Sequence, residues 1–371
     1  MIRAILPFGI AMALASAVAF CHAAQGDPEA EARKALEPRT FTFSQPSLPL
    51  DKALAELTAK TGNRVADTRK SATNPALNLP KEPTTFWQAL DAIGRISGVG
   101  FSAFGETGVA LTDAPYRAMP TAYAGIFRIA RRRVAVIRDD ETDSRQCQLA
   151  FDVTWEPRFQ PFYVDLKLVK LTFAPDAKQK QLTDEVRGRG RVHVAGRSAI
   201  EFDVHTAAPD RTCPKIALLE GTVWALGPSR MVPFTFDKLA LQKPGAKDPP
   251  RRTEDGVTVT ILSIKRQTEV LLVKMKIESP KGAIGFDSHE SWLDNNRIML
   301  TKEVGGKQRV LLPTGSQEER QWPRAEIEYA FTETEGLSLP ASLDGWTLRY
   351  EAPGRIVEVT AKFKLENLAL P

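Results

Sequence analysis

The chain has 371 residues, 43% hydrophobic and 26% charged, and a net charge of +5 from 50 basic and 45 acidic side chains. This is ordinary composition for a globular protein of two or three domains and excludes a disordered or fibrous one. A charge so small and so thinly spread gives no indication of a sequence-independent grip on nucleic acid.

Met1-Ile2-Arg3 supplies one positive charge, and Ala4 to Phe20 is an apolar or small-residue run closing on Cys21-His22-Ala23-Ala24. Residues 1–24 thus have the form of a secretory signal peptide, with small residues where a peptidase cuts. A retained anchor is the alternative, although the run falls short of the roughly 20 residues of a membrane span. A lipoprotein signal at Cys21 is another, although Phe20 stands where a small residue is wanted. The protein is therefore expected to be exported, to the periplasm or outside the cell, with no membrane association indicated beyond the leader. Cys147 and Cys213 remain after the leader. An isolated pair in an exported chain is expected to form one disulfide, with two buried free thiols as the alternative. Residues 25–38, polar, Ala-rich and flanked by prolines, read as a tether with room for one helical turn.

Residues 39–114 read as a small αβ module. Thr40 to Ser44 alternates with strand period and ends at Gln45-Pro46. Leu50, Ala53, Leu54 and Leu57 recur at helical spacing, with Pro49 at the entry and Gly62 where a left-handed cap is wanted. Arg64–Ala66 and Ala76–Leu79 supply two further strands. Thr85-Phe86-Trp87-Gln88 has the form of a capping box, and Phe86, Ala89, Leu90, Ile93 and Ile96 make the apolar face of a second helix closed by Gly98. A hairpin follows, over Val99–Phe104 and Val109–Leu111. Gly98-Val99-Gly100-Phe101-Ser102-Ala103 matches a dinucleotide fingerprint in letters only, because a helix precedes and a strand follows the glycines, the reverse of what a pyrophosphate needs.

The order β-α-β-β-α-β-β, carried by Phe41-x-Phe43, by Pro46-x-x-Pro49-Leu50-x-x-Ala53-Leu54-x-x-Leu57-x-x-x-Thr61-Gly62 and by Thr85-Phe86-x-x-Ala89-Leu90-x-x-Ile93, resembles the secretin and TonB short N-terminal domain. The resemblance covers these residues alone. It implies a non-catalytic protein-interaction module of the periplasm, of the kind found at the entrance of secretin channels or on signalling TonB-dependent receptors. Neither a Gly-rich channel segment nor a plug and barrel follows it here.

Residues 115–123, with Pro115 and Pro120, read as a linker. Beyond them the periodicity is that of strands separated by Pro, Gly and Asp, which predicts mainly antiparallel β structure in two tandem β-sandwich domains, 124–243 and 254–371. The Pro-rich stretch 244–253 is the expected boundary between them. Alternating strands ending in Glu and Pro, Leu149–Pro157 and Leu271–Pro280, together with two Leu-Ala-Leu endings at Leu239–Leu241 and Leu368–Leu370, raise the question of a duplication.

The chemistry-bearing residues are few. His193, His205 and His289 lie outside any paired ligand spacing, and no nucleophile elbow appears. Asp287, His289 and Glu290 form the densest group that could ligate a metal, but neighbouring residues on one loop seldom converge on an ion, and a solvated loop is the expectation. No cofactor is expected. Arg128, Arg131, Arg132, Arg133 and Arg138 form a basic patch that could receive an anionic partner or line a solvated edge. Trp155, Trp224, Trp292, Trp322 and Trp346 could stack on a sugar or pack in cores. The reading is an exported envelope protein, pointing away from catalysis, whose module docks a periplasmic or envelope protein while the β domains act as spacer or second surface. A carbohydrate-binding or carbohydrate-processing envelope protein is the alternative.

Overall fold

The computed structural model describes residues 28–371 apart from 72, 106–107, 175–178, 182–189, 195, 210, 242, 280–292, 294–295, 322, 333–338 and 341. The leader, the hairpin tip 106–107, the cluster Asp287, His289 and Glu290, and Trp292 and Trp322 lie outside the described residues. Among the described residues the chain is mostly β-strand with three short helices.

The first helix, α1 (Pro28–Ala35), falls within the stretch expected to be a tether. Glu29 and Glu31 in its first turn and Arg33 and Lys34 in its last match the helix dipole. Ala32 and Leu36, one turn apart, bury themselves in the core of the sheets beyond the module. The stretch is therefore docked through an apolar stripe that a proline-flanked, charged sequence hides.

Strand β1 (Ser47–Pro49), helix α2 (Leu50–Thr61), strands β2 (Ala66–Asp67) and β3 (Ala76–Asn78), helix α3 (Phe86–Ser97) and strands β4 (Val99–Gly105) and β5 (Gly108–Pro115) follow. Both helices sit where the apolar spacing puts them. Gly62 and Gly98 adopt the left-handed conformation at their ends, with φ of 78° and 74°. At the start of α3 the Gln88 side-chain oxygen accepts from the Thr85 backbone N–H and hydroxyl at 3.0 and 3.1 Å. The strand expected at Thr40–Ser44 is reduced to one bridge between Phe41 and Thr84. Pairing with β3 begins only beyond Pro46, at Ser47–Pro49, because Ser44 turns its backbone N–H to Glu56. β2, β5 and β4 form a second sheet in that order, parallel between β2 and β5.

Next come β6 (Thr121–Ala124), β7 (Phe127–Asp139), β8 (Ser144–Trp155), β9 (Tyr163–Ala174), β10 (Gln179–Gln181), β11 (Val192–His193), β12 (Ala199–Ala207) and β13 (Lys215–Pro228). β6 occupies the expected linker. β7 runs as one strand through a bulge between Arg131 and Arg133, where alternation is lost. A sheet ordered β12-β8-β7-β6 and one ordered β10-β9-β13 bury a common first core that includes Phe127, Leu149, Phe151, Val153, Trp155, Leu166 and Val223.

The chain then leaves by β14 (Met231–Phe236) and builds β15 (Arg251–Glu254), β16 (Val257–Gln267), β17 (Val270–Glu278), β18 (Arg297–Val304), β19 (Lys307–Leu311), β20 (Gly315–Gln321), β21 (Arg324–Thr332) and β22 (Thr347–Pro353). Sheets β14-β22-β18-β19 and β15-β16-β17-β21-β20 bury a second core around Val259, Val273, Phe331, Leu348 and Tyr350. The last strand, β23 (Ile356–Ala369), does not belong there. It pairs with β13 from Lys215↔Ala369 to Pro228↔Ile356 and completes the first core.

The expected division at 244–253 therefore differs from the observed one. β15 begins inside that Pro-rich stretch and pairs with β16, so the stretch lies within the second set of sheets. The two cores are joined instead by one antiparallel ribbon. β13 pairs with β23, β14 pairs with β22, and the step from Pro228↔Ile356 to Met231↔Pro353 crosses two residues on each strand. Ser229 N–H to Arg355 O at 2.8 Å and Gly354 N–H to Arg230 O at 3.0 Å bond the crossing itself. The prolines Pro228 and Pro353 mark where each strand passes from one sheet to the next.

Candidate functional site at the junction of the module and the first core

Helix α3 carries two buried stripes. Phe86, Ala89, Leu90 and Ile93 fill the module's own core. Trp87, Asp91 and Gly94, at i, i+4 and i+7, face β6, β7 and the segment after β5. The Trp87 indole N–H donates to Ile126 O at 3.0 Å. The Tyr116 ring lies so close over Gly94 that a Cβ there would stand 2.4 Å from it.

Asp91, 1% exposed, and Arg128, 3% exposed, form the centre of this contact. The guanidinium donates twice, Nε to Oδ2 at 2.7 Å and Nη2 to Oδ1 at 3.1 Å. Tyr116 donates its hydroxyl to Oδ1 at 2.9 Å and Tyr123 to Oδ2 at 2.6 Å. Both carboxylate oxygens are thus fully used, which is the condition under which a charge can leave water. Burial, and next the Asp91 charge, push both tyrosine hydroxyls above their ordinary pKa and keep them as donors. Arg128 also lies over the Phe101 ring, 5.3 Å from its centroid.

A second polar contact lies at the end of α2. Asn63 donates to Glu156 Oε2 at 2.9 Å and accepts from the Arg158 backbone N–H at 3.0 Å. Arg158 bonds Glu156 and reaches the carbonyls of Ala35, Leu36 and Glu37 beyond α1. One arginine thereby ties α1, the module and the first core together. Burial raises the Glu156 carboxyl above its ordinary value, partly offset by Arg158 and Asn63.

The docked module covers part of β8. Leu149, Phe151, Val153 and Trp155 face the first core, while Ala150, Asp152 and Thr154 on the other face are buried too. The covering is incomplete, and two hollows remain, of about 520 and 470 Å³. The first is walled by Phe101, Phe104, Tyr116, Arg117, Arg132 and Asp152. The second lies between residues 103–105 of β4 and 199–201 of β12. Phe104, 51% exposed, borders both. Burial raises the Asp152 carboxyl above its ordinary value. Its Oδ1 has no hydrogen-bond partner among the described residues, with Arg132 Nε 3.5 Å away as an ion pair.

The expected basic patch is dispersed. Arg128 points inward to Asp91 because it alternates with the core residues Phe127 and Ile129. Arg131 donates to Ala369 O at 2.8 Å. Arg132 pairs with Asp152 and Glu201, Arg133 with Asp203, and Arg138 with Asp140 and Asp143. The strand alternation thus places carboxylates opposite these arginines, and they do not present a shared cationic face. The expected disulfide is absent: Cys147 and Cys213 are free thiols. Cys147 points into the first core, where burial pushes its pKa up to about 11. Cys213 precedes β13 in the opposing sheet, and its thiol donates to Ala174 O at 2.6 Å. Among the described tryptophans, Trp155 and Trp346 are buried, and Trp224 lies beneath the Arg191 guanidinium at 4.4 Å. No group of three or more His, Cys, Asp or Glu among the described residues is arranged to hold a metal ion, and no described helix is long and apolar enough to cross a membrane.

Ile96, expected on the core face of α3, is 42% exposed. The second buried stripe lies one position away, at Trp87, Asp91 and Gly94, and its signal was legible: a buried-type aromatic, an acid and a glycine at helical spacing. No family model, curated protein or solved structure matches the chain.

Proposed function

We propose that the protein is an exported, non-catalytic adaptor of the cell envelope that docks a partner protein at the junction between its αβ module and its first β core. The two β cores, read as sandwiches, act as a spacer and a support. The reading of residues 39–114 as similar to the secretin and TonB short N-terminal domain rests on the helix, cap and strand order described above. The leader-like first 24 residues support export.

The observation that carries the docking reading is the junction itself. Hydrogen bonds from Trp87 to Ile126, from Arg128 to Asp91, from Asn63 to Glu156 and from the Arg158 backbone to Asn63 hold the module against the first core, so the half-exposed Phe104 stands between two preformed hollows. Docking through the face of α3 is disfavoured, because Trp87 and Asp91 already use that face within the chain. Preformed concavity beside an exposed aromatic is what an interaction site offers when little ordering remains to be done on binding.

The test is affinity capture from envelope extract with the immobilised full chain. One protein should be retained, displaced by free full chain, and lost on Phe104→Glu. Retention of polysaccharide instead, or capture indifferent to Phe104→Glu, would overturn the reading.

A further inference from the structure

We propose that the larger hollow binds a small zwitterion of the amino-acid type, with its ammonium group on Asp152, its carboxylate on Arg117 and an apolar side chain against the aromatic wall; this goes beyond protein docking and does not depend on it. The hollow, about 520 Å³, falls in the size range of small-molecule sites. Phe101 and Tyr116, with ring centroids 6.3 Å apart, and Phe104 give it that wall.

Asp152 is the group that calls for a ligand. It lines the hollow at 9% exposure, and its Oδ1 is buried with no hydrogen-bond partner among the described residues. Its ion-pair contact is Arg132 Nε, 3.5 Å away. Arg132, however, is bonded through Nη2 to Glu201, the residue directly across from Asp152 in the β8–β12 ladder. One guanidinium therefore stands between two carboxylates and neutralises only one of them. A carboxylate withdrawn from water in this way is costly unless a donor comes to meet it.

The other cations of the hollow divide in two. Arg128 is bonded twice to Asp91. Arg117 is exposed and makes no ion pair among the described residues. With each residue counted once, the hollow presents one carboxylate short of a partner, Asp152, and one guanidinium short of a partner, Arg117. A simple cation or a simple anion would answer one and be repelled by the other, whereas a zwitterion answers both. The apolar remainder of the lining, including Ala103, Pro115 and Met119, suits an apolar side chain.

The test is isothermal titration calorimetry of the full chain with L-leucine, L-phenylalanine and the dipeptide leucyl-phenylalanine, each also as its N-acetyl and its carboxamide derivative. At least one free zwitterion should bind at a single site, and each of its blocked forms should bind about tenfold more weakly. Asp152→Asn should weaken the free form by about tenfold or more while leaving the N-acetyl form unchanged, and Arg117→Gln should do the same with respect to the carboxamide. A merely structural role for Asp152 would weaken every form alike. Both substitutions are conservative, and circular dichroism of each variant should match that of the parent chain. No binding of any free form, blocked forms that bind as tightly as free ones, or an affinity indifferent to Asp152→Asn would each overturn the proposal. Equal binding of an uncharged sugar, methyl glucoside, that is lost on Asp152→Asn would assign the hollow to saccharide and overturn it too. Capture of the partner protein by the full chain is read separately, so a failure here leaves the docking reading standing.

Discussion

Asp91 and Arg128 are held away from water on two elements far apart in sequence; the guanidinium donates to the carboxylate, which also accepts two tyrosine hydroxyls. Removing one partner leaves the other as a buried charge, so Asp91→Ala should cost about 3–5 kcal/mol in urea unfolding, while Asp91→Leu combined with Arg128→Met should recover much of the loss. Equal losses in the single and double variants would show that the pair does not act as a unit. Glu156 behaves differently, because burial raises its carboxyl above 4.5 in the folded state. Protonation therefore favours folding, and this contribution is full below 4.5 and lost as pH rises through the raised value. Relative to Glu156→Gln, the parent chain should gain stability on acidification from neutral pH toward 4.5, as read by urea unfolding across that range. A stability difference that does not change with pH would contradict the assignment.

Helix α3 shows how one element can serve two interfaces with two stripes. Glycine within a helix ordinarily costs about 1 kcal/mol relative to alanine. At Gly94 the sign should reverse, because an added Cβ would stand 2.4 Å from the Tyr116 ring and displace a donor to Asp91. Gly94→Ala should lower thermal stability, at a cost of about 1–3 kcal/mol, and a stabilised variant would refute the packing described. Helices α2 and α3 were legible in the sequence because apolar spacing, Gly62, Gly98 and the Thr85-Gln88 pair are local signals. β7 was not legible as one strand, since its bulge at Arg131–Arg133 breaks the alternation that periodicity reads. β20, Gly-Ser-Gln-Glu-Glu-Arg-Gln, has no apolar residue to show and forms only because β21 offers it a ladder. The Asp91–Arg128 contact was hidden for a different reason: the arginine stood among four others, and only the fold separates the one facing α3 from those facing solvent.

At the scale of the whole molecule, the sequence pointed to two β units but could not show that the chain returns to the first after building the second. No local pattern states which sheet a terminal strand will join, and the Pro-rich stretch at 244–253 was a more visible break than the short Pro228-Ser229-Arg230 and Pro353-Gly354-Arg355 crossings. The ribbon makes the first core depend on the last residues of the chain. Deleting residues 355–371 should therefore expose residues 121–228 to limited proteolysis while a fragment within 229–354 stays protected; the opposite pattern would place β23 elsewhere. The junction of the module with the first core is where the proposed docking function is placed. The most direct measurement is site-specific photocrosslinking in cells with a photoreactive residue at Phe104, compared with one at Leu312, which is 61% exposed just beyond β19 on the second core. A discrete adduct with another protein from position 104 and none from 312 is predicted. No adduct at 104, or the same adduct from both positions, would contradict docking at the junction.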